Sequence, residues 1–166
     1  LPKDVQVAVL NEEVDDTPRE HILKRKKYAL AGGSQKQVQD AAELINKSEK
    51  PVLYVGGGAI IAGAHDALKK VAEKGNIPVT TTLLGLGAFD EHSPLSMYML
   101  GMHGSAFANY AVQECDCLIA VGARFDDRVT GNLASFAPHA KIIHIDIDPS
   151  SIGKNVDVDV TVVGDA

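Results

Sequence analysis

Two arginines and two aspartates stand close together in residues 121–131 of this sequence. Arg124, Asp126, Asp127 and Arg128 follow the apolar residues 117–120, which have the composition of a buried strand. Guanidinium groups bind phosphate through paired hydrogen bonds, and carboxylates accept hydrogen bonds from hydroxyl or ring N–H groups. The group therefore suits an extended, partly anionic ligand. A salt-bridged surface loop is the alternative interpretation.

Apolar runs that could supply the strands of a sheet recur along the chain. They lie at residues 52–55, 77–81, 117–121, 141–146 and 158–163. Helical patterns alternate with them, and such alternation is typical of βαβ units. The sequence predicts a Rossmann-like α/β fold, a doubly wound parallel sheet of five or six strands with helices on both faces.

Three helices are predicted from capping residues and apolar spacing. Ser34 and Gln37 form a capping box, and the helix that follows ends before Lys50 and Pro51. A second helix covers residues 64–75, and a third runs from Ser105, its N-cap, to residue 113. The first helix precedes the first strand, and the other two connect consecutive parts of the sheet.

The residues that follow the strands are small or charged, as in ligand-binding loops. Glycines occupy positions 56–58, small residues and threonines fill 80–87, and Asp146 and Asp165 close the last two strands. Ligands bind at the carboxyl edge of open parallel sheets. Glycine N–H groups could approach a phosphate there, although a tight turn without a ligand explains them too. An ordinary dinucleotide fingerprint fails, because Ile61 stands where it needs a third glycine.

Two further candidate sites give weaker signals. Residues 100–104 include Met102 and His103, which suit either a ligand-facing loop or ordinary packing and surface positions. A metal at Asp126 and Asp127 is possible in principle, but no histidine stands at ligand spacing and the flanking arginines would repel a cation. The sequence therefore predicts no metal site.

Composition limits the class of protein. The chain has 166 residues, 45% of them hydrophobic, and a net charge of -6, which is unlike a nucleic-acid-binding surface. No apolar run approaches the roughly 20 residues of a membrane span. Cys115 and Cys117 lie too close together for a disulfide and lack the other ligands of a zinc site. We expect a cytoplasmic protein that binds neither nucleic acid nor membrane.

Five motifs together resemble the central domain of the acetolactate synthases, the FAD-containing biosynthetic branch of the thiamine-diphosphate-dependent enzymes. They are residues 51–58, 80–89, 100–104, 121–131 and 144–149. The resemblance implies an enzyme that joins two 2-ketoacids, pyruvate with pyruvate or with 2-ketobutyrate, and releases carbon dioxide. It also implies an extended FAD in this domain, needed for activity without a net redox step, and a homodimer or higher oligomer with a regulatory small subunit.

The resemblance also implies which residues contact the cofactor. The ribityl and phosphate region would be contacted by Gly57, Gly58, Thr82 and Leu83, and the flavin end by Leu100, Gly101, Met102 and His103. The middle of the cofactor would be contacted by residues of the charged loop, Gly122, Ala123, Arg124, Asp126, Arg128 and Val129. The adenosine end would be contacted by Asp146, Ile147, Asp165 and Ala166. Lys3, Met102 and Arg128 match positions that border the family's substrate channel and herbicide site.

The chain departs from the family by lacking parts that the chemistry needs. It has no Gly-Asp-Gly segment with the distant asparagine that binds the magnesium of thiamine diphosphate, and no activating glutamate from the N-terminal domain. Residues 164–166, Gly-Asp-Ala, close the last strand instead. We therefore expect an excised domain, with residues 1–33 as a linker from a missing N-terminal domain and 34–166 as the FAD-binding domain. It would contain no catalytic residue and be inactive alone.

Two other interpretations stay open at this point. The chain could be the central domain of a related enzyme of the glyoxylate carboligase or pyruvate oxidase type. It could also be a non-catalytic nucleotide-binding module. The paired Asp126 and Asp127 beside Arg128 favour the acetolactate synthase branch over those enzymes.

Overall fold

A computed structural model describes residues 33–166, and within them six parallel strands form one sheet. The strands are β1 (Pro51–Val55), β2 (Val79–Thr81), β3 (Ser96–Met99), β4 (Cys117–Val121), β5 (Lys141–Asp146) and β6 (Val160–Val163). Their order is β3-β2-β1-β4-β5-β6, and every neighbouring pair is parallel. The chain starts in the middle, moves outward to β3, and returns to place β4 beside β1. This confirms the predicted doubly wound sheet, whose direction of winding reverses between β1 and β4.

Two of the five helices among residues 33–166 begin at the capping residues predicted for them, and the two shortest were not predicted. They are α1 (Gln35–Lys47), α2 (Gly57–Ile61), α3 (His65–Gly75), α4 (Ala106–Glu114) and α5 (Asp127–Thr130), with single 3₁₀ turns at Leu83–Gly85 and Leu133–Ser135. The Ser34 hydroxyl accepts the Gln37 N–H at 3.2 Å, and the Gln37 amide oxygen accepts the Ser34 N–H at 3.0 Å. Ser105 caps α4 by accepting the Ala108 N–H at 3.2 Å. Both predicted caps are therefore confirmed.

Both faces of the sheet are covered by apolar packing. On one face, alternate strand residues such as Leu53, Ile119 and Ile143 pack with α1, α2 and α3. On the other face, residues such as Leu118 and Ile142 pack with α4 and with the segment that connects β4 to β5. Because β1 and β4 are buried on both sides, their sequences are almost continuously apolar, and β5 is apolar at Ile142, Ile143 and Ile145. This double burial makes the central strands a rigid platform for the loops at their carboxyl ends.

The structure corrects the sequence prediction at the edges of the sheet. A sixth strand, β3, lies where a loop was expected, and β2 begins at Val79 and β6 at Val160, two residues later than predicted. The pairing of β2 with β3 is irregular between Val79 and Thr81, and Tyr98 has a φ of 59°. An edge strand with this irregularity carries no regular apolar pattern. Residues 1–32 of the expected linker, which include Lys3, lie outside the described residues.

No helix among residues 33–166 is both long enough and apolar enough to cross a membrane.

Candidate functional site

A cleft of about 570 Å³ opens at the carboxyl edge of the sheet, between the ends of β1 and β4. This is the point where the winding direction reverses, and the loops after the two strands diverge there. The lining residues are Tyr54, Gly56, Gly57, Gly58, Ile61, Thr82, Leu83, Leu84, Gly122, Ala123, Arg124, Asp126, Arg128, Val129, Asp146, Asp148 and Ser151. They come from the loops after β1, β2, β4 and β5, so four separate segments build one site.

The floor of the cleft is a close contact between two glycine turns. A Cβ atom on Gly56 would lie 2.1 Å from the Gly122 carbonyl oxygen, and one on Gly58 would lie 2.7 Å from the Gly122 Cα. Gly122 itself has a φ of 57°, a conformation that favours glycine. The glycines are therefore required because the two backbones touch, with or without a ligand.

Two backbone N–H groups of the glycine turn donate hydrogen bonds to backbone carbonyls of the protein. The Gly56 N–H donates to the Val121 carbonyl at 2.9 Å, and the Gly58 N–H donates to the Gly122 carbonyl at 3.1 Å. The sequence left two interpretations of this turn open, an approach to a phosphate and a tight turn without a ligand. Gly57 begins α2, and its N–H has no acceptor within its helix. The bonds of Gly56 and Gly58 are those of a tight turn, so the other polar groups of the cleft are side chains.

The charged loop supplies those side chains at one wall of the cleft. Arg124 and Asp126 form an ion pair with a nitrogen to oxygen distance of 3.2 Å, and the Arg124 side chain is 73% exposed. The Arg128 N–H donates to Asp126 at 3.2 Å, and this bond holds the pKa of Asp126 below its usual value, with both arginine charges adding to the effect. Both guanidinium groups thus face solvent at the wall of the cleft.

Phe125 explains why its neighbours point outward. It is buried and adopts a φ of 53°, and its ring packs against Tyr54 and His144 with centroid distances of 5.3 and 5.1 Å. The left-handed turn costs about 1 kcal/mol or more and is stabilised by this packing. Because Phe125 is anchored in the core, Arg124 and Asp126 on either side of it are directed to the surface.

Below the cleft lie two buried polar rings. Tyr54 on β1 and His144 on β5 flank Ala120 on β4 in the same register, and both rings are fully buried. The Tyr54 hydroxyl and both His144 nitrogens lack a hydrogen-bond partner among residues 33–166. Burial raises the pKa of Tyr54 and lowers the pKa of His144. Both side chains are therefore neutral at pH 7.

Asp146, the last residue of β5, lines one end of the cleft. One carboxylate oxygen accepts the Asp148 N–H at 2.8 Å, and the other lies 3.8 Å from Nε2 of His144. The side chain is 11% exposed, so it is fixed in position yet reaches the cleft. A strand-end carboxylate in this position is suited to accept hydrogen bonds from ribose hydroxyls.

The structure brings together eleven of the eighteen residues that the resemblance assigned to the cofactor, and leaves seven outside the cleft. Those that line it are Gly57, Gly58, Thr82, Leu83, Gly122, Ala123, Arg124, Asp126, Arg128, Val129 and Asp146. Those that do not line it are Leu100, Gly101, Met102, His103, Ile147, Asp165 and Ala166. The two outlying groups lie next to lining residues: the Met102 N–H donates to the Arg128 carbonyl at 2.9 Å, and the Gly164 N–H to the Asp146 carbonyl at 3.0 Å.

Several lining residues were not assigned from the sequence. Tyr54, Gly56, Ile61, Leu84, Asp148 and Ser151 all border the cleft. Ile61 and Leu84 are 90% and 76% exposed, which is unusual for large apolar side chains and gives the cleft an apolar rim. Their positions directly beside the glycine turn and the threonine loop were the available signal. Within residues 33–166, no group of three or more His, Cys, Asp or Glu side chains is placed to hold a metal.

Residues 38–166 match the model of one protein family, described as the central domain of thiamine pyrophosphate enzymes. The chain belongs to this family. The thiamine pyrophosphate enzyme central domain thus accounts for all six strands and for the cleft at the β1 and β4 ends.

The named relatives of this central domain are acetolactate synthase subunits. The chain is 62% identical over 128 residues to the acetolactate synthase large subunit of Parasynechococcus marenigrum, covering 77% of this chain and 21% of the relative. It is 54% identical over 166 residues to a probable acetolactate synthase large subunit of Methanocaldococcus jannaschii, covering 100% and 28%. The red alga Cyanidium caldarium has an acetolactate synthase large subunit that is 50% identical over 155 residues, covering 93% and 26%. The chain therefore spans less than a third of the length of these relatives.

Proposed function

We propose that this chain is the FAD-binding central domain of an acetolactate synthase large subunit. The cleft carries the proposal, because it combines a glycine floor, two exposed arginines and a strand-end aspartate at the switch point of the sheet. The relatives favour acetolactate synthase over glyoxylate carboligase or pyruvate oxidase.

The chemistry of the cleft fits an extended flavin dinucleotide. Arg124 and Arg128 would bind the diphosphate, and Asp146 would bind a ribose hydroxyl. The exposed apolar side chains of Ile61, Leu83 and Leu84 offer a surface for a planar ring at the opposite end. A volume of about 570 Å³ lies within the range of small-molecule sites.

The proposed site extends beyond the cleft at both ends. Leu100, Gly101, Met102 and His103 would border the flavin, since their loop is bonded to the Arg128 carbonyl. Ile147, Asp165 and Ala166 would border the adenosine, since they adjoin Asp146. Lys3, Met102 and Arg128 would border the substrate channel. The protein's own contribution is to hold the cofactor extended and oriented, and the resemblance assigns the bound flavin no net redox step.

The complete protein would condense pyruvate with pyruvate or with 2-ketobutyrate and release carbon dioxide. Thiamine diphosphate and Mg²⁺ would be bound by other parts of the polypeptide, and the 166-residue chain alone would be inactive. The relatives are large subunits, which supports pairing with a regulatory small subunit, and the large subunit itself would form a homodimer or higher homo-oligomer. We place the protein in the cytoplasm, with residues 1–33 as the linker and 34–166 as the FAD-binding domain.

Cofactor titration of the intact gene product tests the proposal. The protein is stripped of flavin and titrated with FAD, FMN and ADP by calorimetry and flavin fluorescence. We expect FAD to bind most tightly, because only FAD fills the apolar, diphosphate and ribose regions together. Pyruvate turnover to acetolactate is then measured with thiamine diphosphate and Mg²⁺, with and without FAD.

The outcomes separate the two parts of the proposal. FAD binding without acetolactate formation would overturn the enzyme assignment and leave a nucleotide-binding module. Acetolactate formation that needs no FAD, from protein that binds none, would overturn the role of the cleft.

A further inference from the structure

The loop at residues 100–104 is held from two sides although it does not line the cleft. Its second residue, Gly101, is buried and has a φ of 89°. On one side it faces α4, and on the other it faces α5, whose residue Arg128 lines the cleft. The side chain that fixes this loop on the α4 side is that of Asn109.

Asn109 on α4 makes a complete set of hydrogen bonds to the loop backbone. Its Oδ1 accepts the Gly101 N–H at 2.9 Å, and its Nδ2 donates to the Gly101 carbonyl at 3.1 Å. The same Nδ2 also donates to the Ser105 carbonyl at 3.1 Å. Because a carbonyl oxygen can only accept and the amide nitrogen only donate, the three partners define one orientation of the Asn109 amide. The clamp therefore fixes both polar groups of Gly101.

The other side of the loop touches the backbone of Arg128. The Met102 N–H donates to the Arg128 carbonyl at 2.9 Å, and a Cβ atom on Gly101 would lie 2.7 Å from that same oxygen. Helix α5 has only four residues, and a single turn of helix has little stability of its own. Its position must therefore come from its contacts, of which this loop supplies one.

We propose that Asn109 is a positioning residue, whose amide clamps Gly101 against α5 and so sets the place of Arg128 at the cleft. The inference rests on the proposed function that the cleft binds FAD. Asn109 touches no ligand in this scheme; it acts through Gly101, Met102 and the Arg128 backbone.

Helix α4 offers a matched control in Gln113. Its side-chain amide makes the same kind of clamp, with Nε2 donating to the Ser135 carbonyl at 2.9 Å and Oε1 accepting the Ala137 N–H at 3.0 Å. It holds a different loop, which supplies no residue to the lining of the cleft. Asn109→Ala and Gln113→Ala therefore remove equivalent bonds from one helix, and only the first loosens the neighbour of Arg128.

The first measurement is hydrogen exchange in the intact gene product without flavin. We expect Asn109→Ala to speed exchange at Gly101 and Met102 at least about tenfold, equivalent to about 1.4 kcal/mol, and Gln113→Ala to leave both unchanged. Asn109→Leu has almost the same shape but can neither accept the Gly101 N–H nor donate to the two carbonyls, so it should exchange as fast as the alanine variant. Exchange at the wild-type rate in Asn109→Leu would overturn the clamp.

The second measurement is a double-mutant cycle on FAD affinity. We expect Asn109→Ala to weaken FAD about tenfold in the wild-type background and by a clearly smaller factor in the Arg128→Ala background, where only the loop's own proposed contact with the flavin is left to disturb. Equal losses in both backgrounds, or an equal loss from Gln113→Ala, would overturn the positioning role. If the wild-type protein binds no FAD, the proposed function fails, whereas the exchange experiment still decides whether the clamp exists.

Discussion

The two edges of the sheet use the same kinds of side chain for different purposes. At the amino edge, Asp116 accepts the N–H groups of Glu49 and Lys50 at 2.7 and 2.9 Å, and Asp159 accepts the Ile142 N–H at 2.9 Å and the Lys141 ammonium at 2.8 Å. At the carboxyl edge, the Arg124 side chain is 73% exposed, and its partner Asp126 also accepts the Arg128 N–H at 3.2 Å. The carboxylates at both edges thus bind backbone N–H groups, whereas Arg124 and Arg128 at the carboxyl edge line the cleft.

Ionisation does not distinguish the two edges. Burial works to raise the pKa of Asp116, but hydrogen bonds from the Glu49 and Lys50 N–H groups lower it by more, and the Arg128 N–H similarly lowers the pKa of Asp126. Both carboxylates are charged at neutral pH. What differs is that Asp126 itself lines the cleft of about 570 Å³, whereas a cleft of about 320 Å³ at the amino edge is lined by Glu49 and Lys50 but not by Asp116. Charge alone is therefore a poor guide to function, whereas position relative to the strand ends is a good one.

The largest expected effect comes from Gly122→Ala at the floor of the cleft. A Cβ atom there would lie 2.6 Å from the Ala59 nitrogen and from the Gly58 Cα, and Gly122 also has a positive φ. We expect a loss of about 3 kcal/mol or more in unfolding free energy, measured by denaturation, together with loss of FAD binding. Gly153→Ala is the control, since Gly153 has a φ of 68° but open space around it and should cost only about 1 kcal/mol. Equal losses would mean that the glycine contact is unimportant.

Arg124→Ala should separate binding from stability at the carboxyl edge. Loss of a charge-assisted contact to the diphosphate should weaken FAD tenfold to a hundredfold, or about 1.5 to 3 kcal/mol. Unfolding free energy should change by less than about 1 kcal/mol, because the ion pair with Asp126 is exposed. Arg124→Lys should retain part of the affinity, and the distant Lys69→Ala should retain all of it. Unchanged flavin content in Arg124→Ala would contradict the role.

Asp116→Ala at the amino edge should affect stability and leave FAD binding unchanged. Removing the acceptor of two backbone N–H groups should lower unfolding free energy by about 1 kcal/mol, a value reduced by solvent exposure of the site. FAD affinity, measured by titration, should not change. Asp126→Ala is the matched variant at the other edge and should affect affinity more than stability. If both variants behaved alike, the contrast between the edges would be wrong.

The smallest expected effect is a pH dependence caused by His144. Burial lowers its pKa in the folded state, so the unfolded chain binds the proton more readily. Stability from this group is complete above the unfolded pKa of about 6.5 and falls as the pH drops towards the folded pKa, by at most about 1.4 kcal/mol per pH unit. His144→Phe should flatten this part of the stability profile. An unaltered slope in His144→Phe would assign the effect to another group.

The central strands and the charged loop were predictable from sequence for one physical reason. A strand buried on both faces is mainly apolar, so β1 and β4, and the Ile142, Ile143 and Ile145 positions of β5, could be recognised, and the residues that follow these strands must lie at one edge. This reasoning placed Arg124 and Asp126 correctly beside the glycine turn. Strand β3 could not be predicted, because it is an edge strand with mixed burial and an irregular pairing.

The roles of residues that act through a tertiary contact also could not be predicted from the sequence. Asn109 stands on an ordinary helix, and nothing in its spacing indicates that its amide binds Gly101. Similarly, the sequence could not decide between a phosphate site and a tight turn at Gly56 and Gly58, whose N–H groups bond to the backbone at the end of β4. Such assignments require the distance between segments that are remote in sequence.

The pairing of β1 with β4 has a consequence for how the protein folds. Val55 aligns with Val121, and two other strands lie between them in the chain. Their contact therefore closes a long loop, and the entropic cost of that closure makes it a late step in folding. A growing polypeptide that has emerged from the ribosome only as far as β3 possesses the glycine turn but not Gly122, against which that turn packs. The cleft therefore cannot exist in a half-folded chain, and a ligand that fits it recognises only molecules whose two half-sheets have docked.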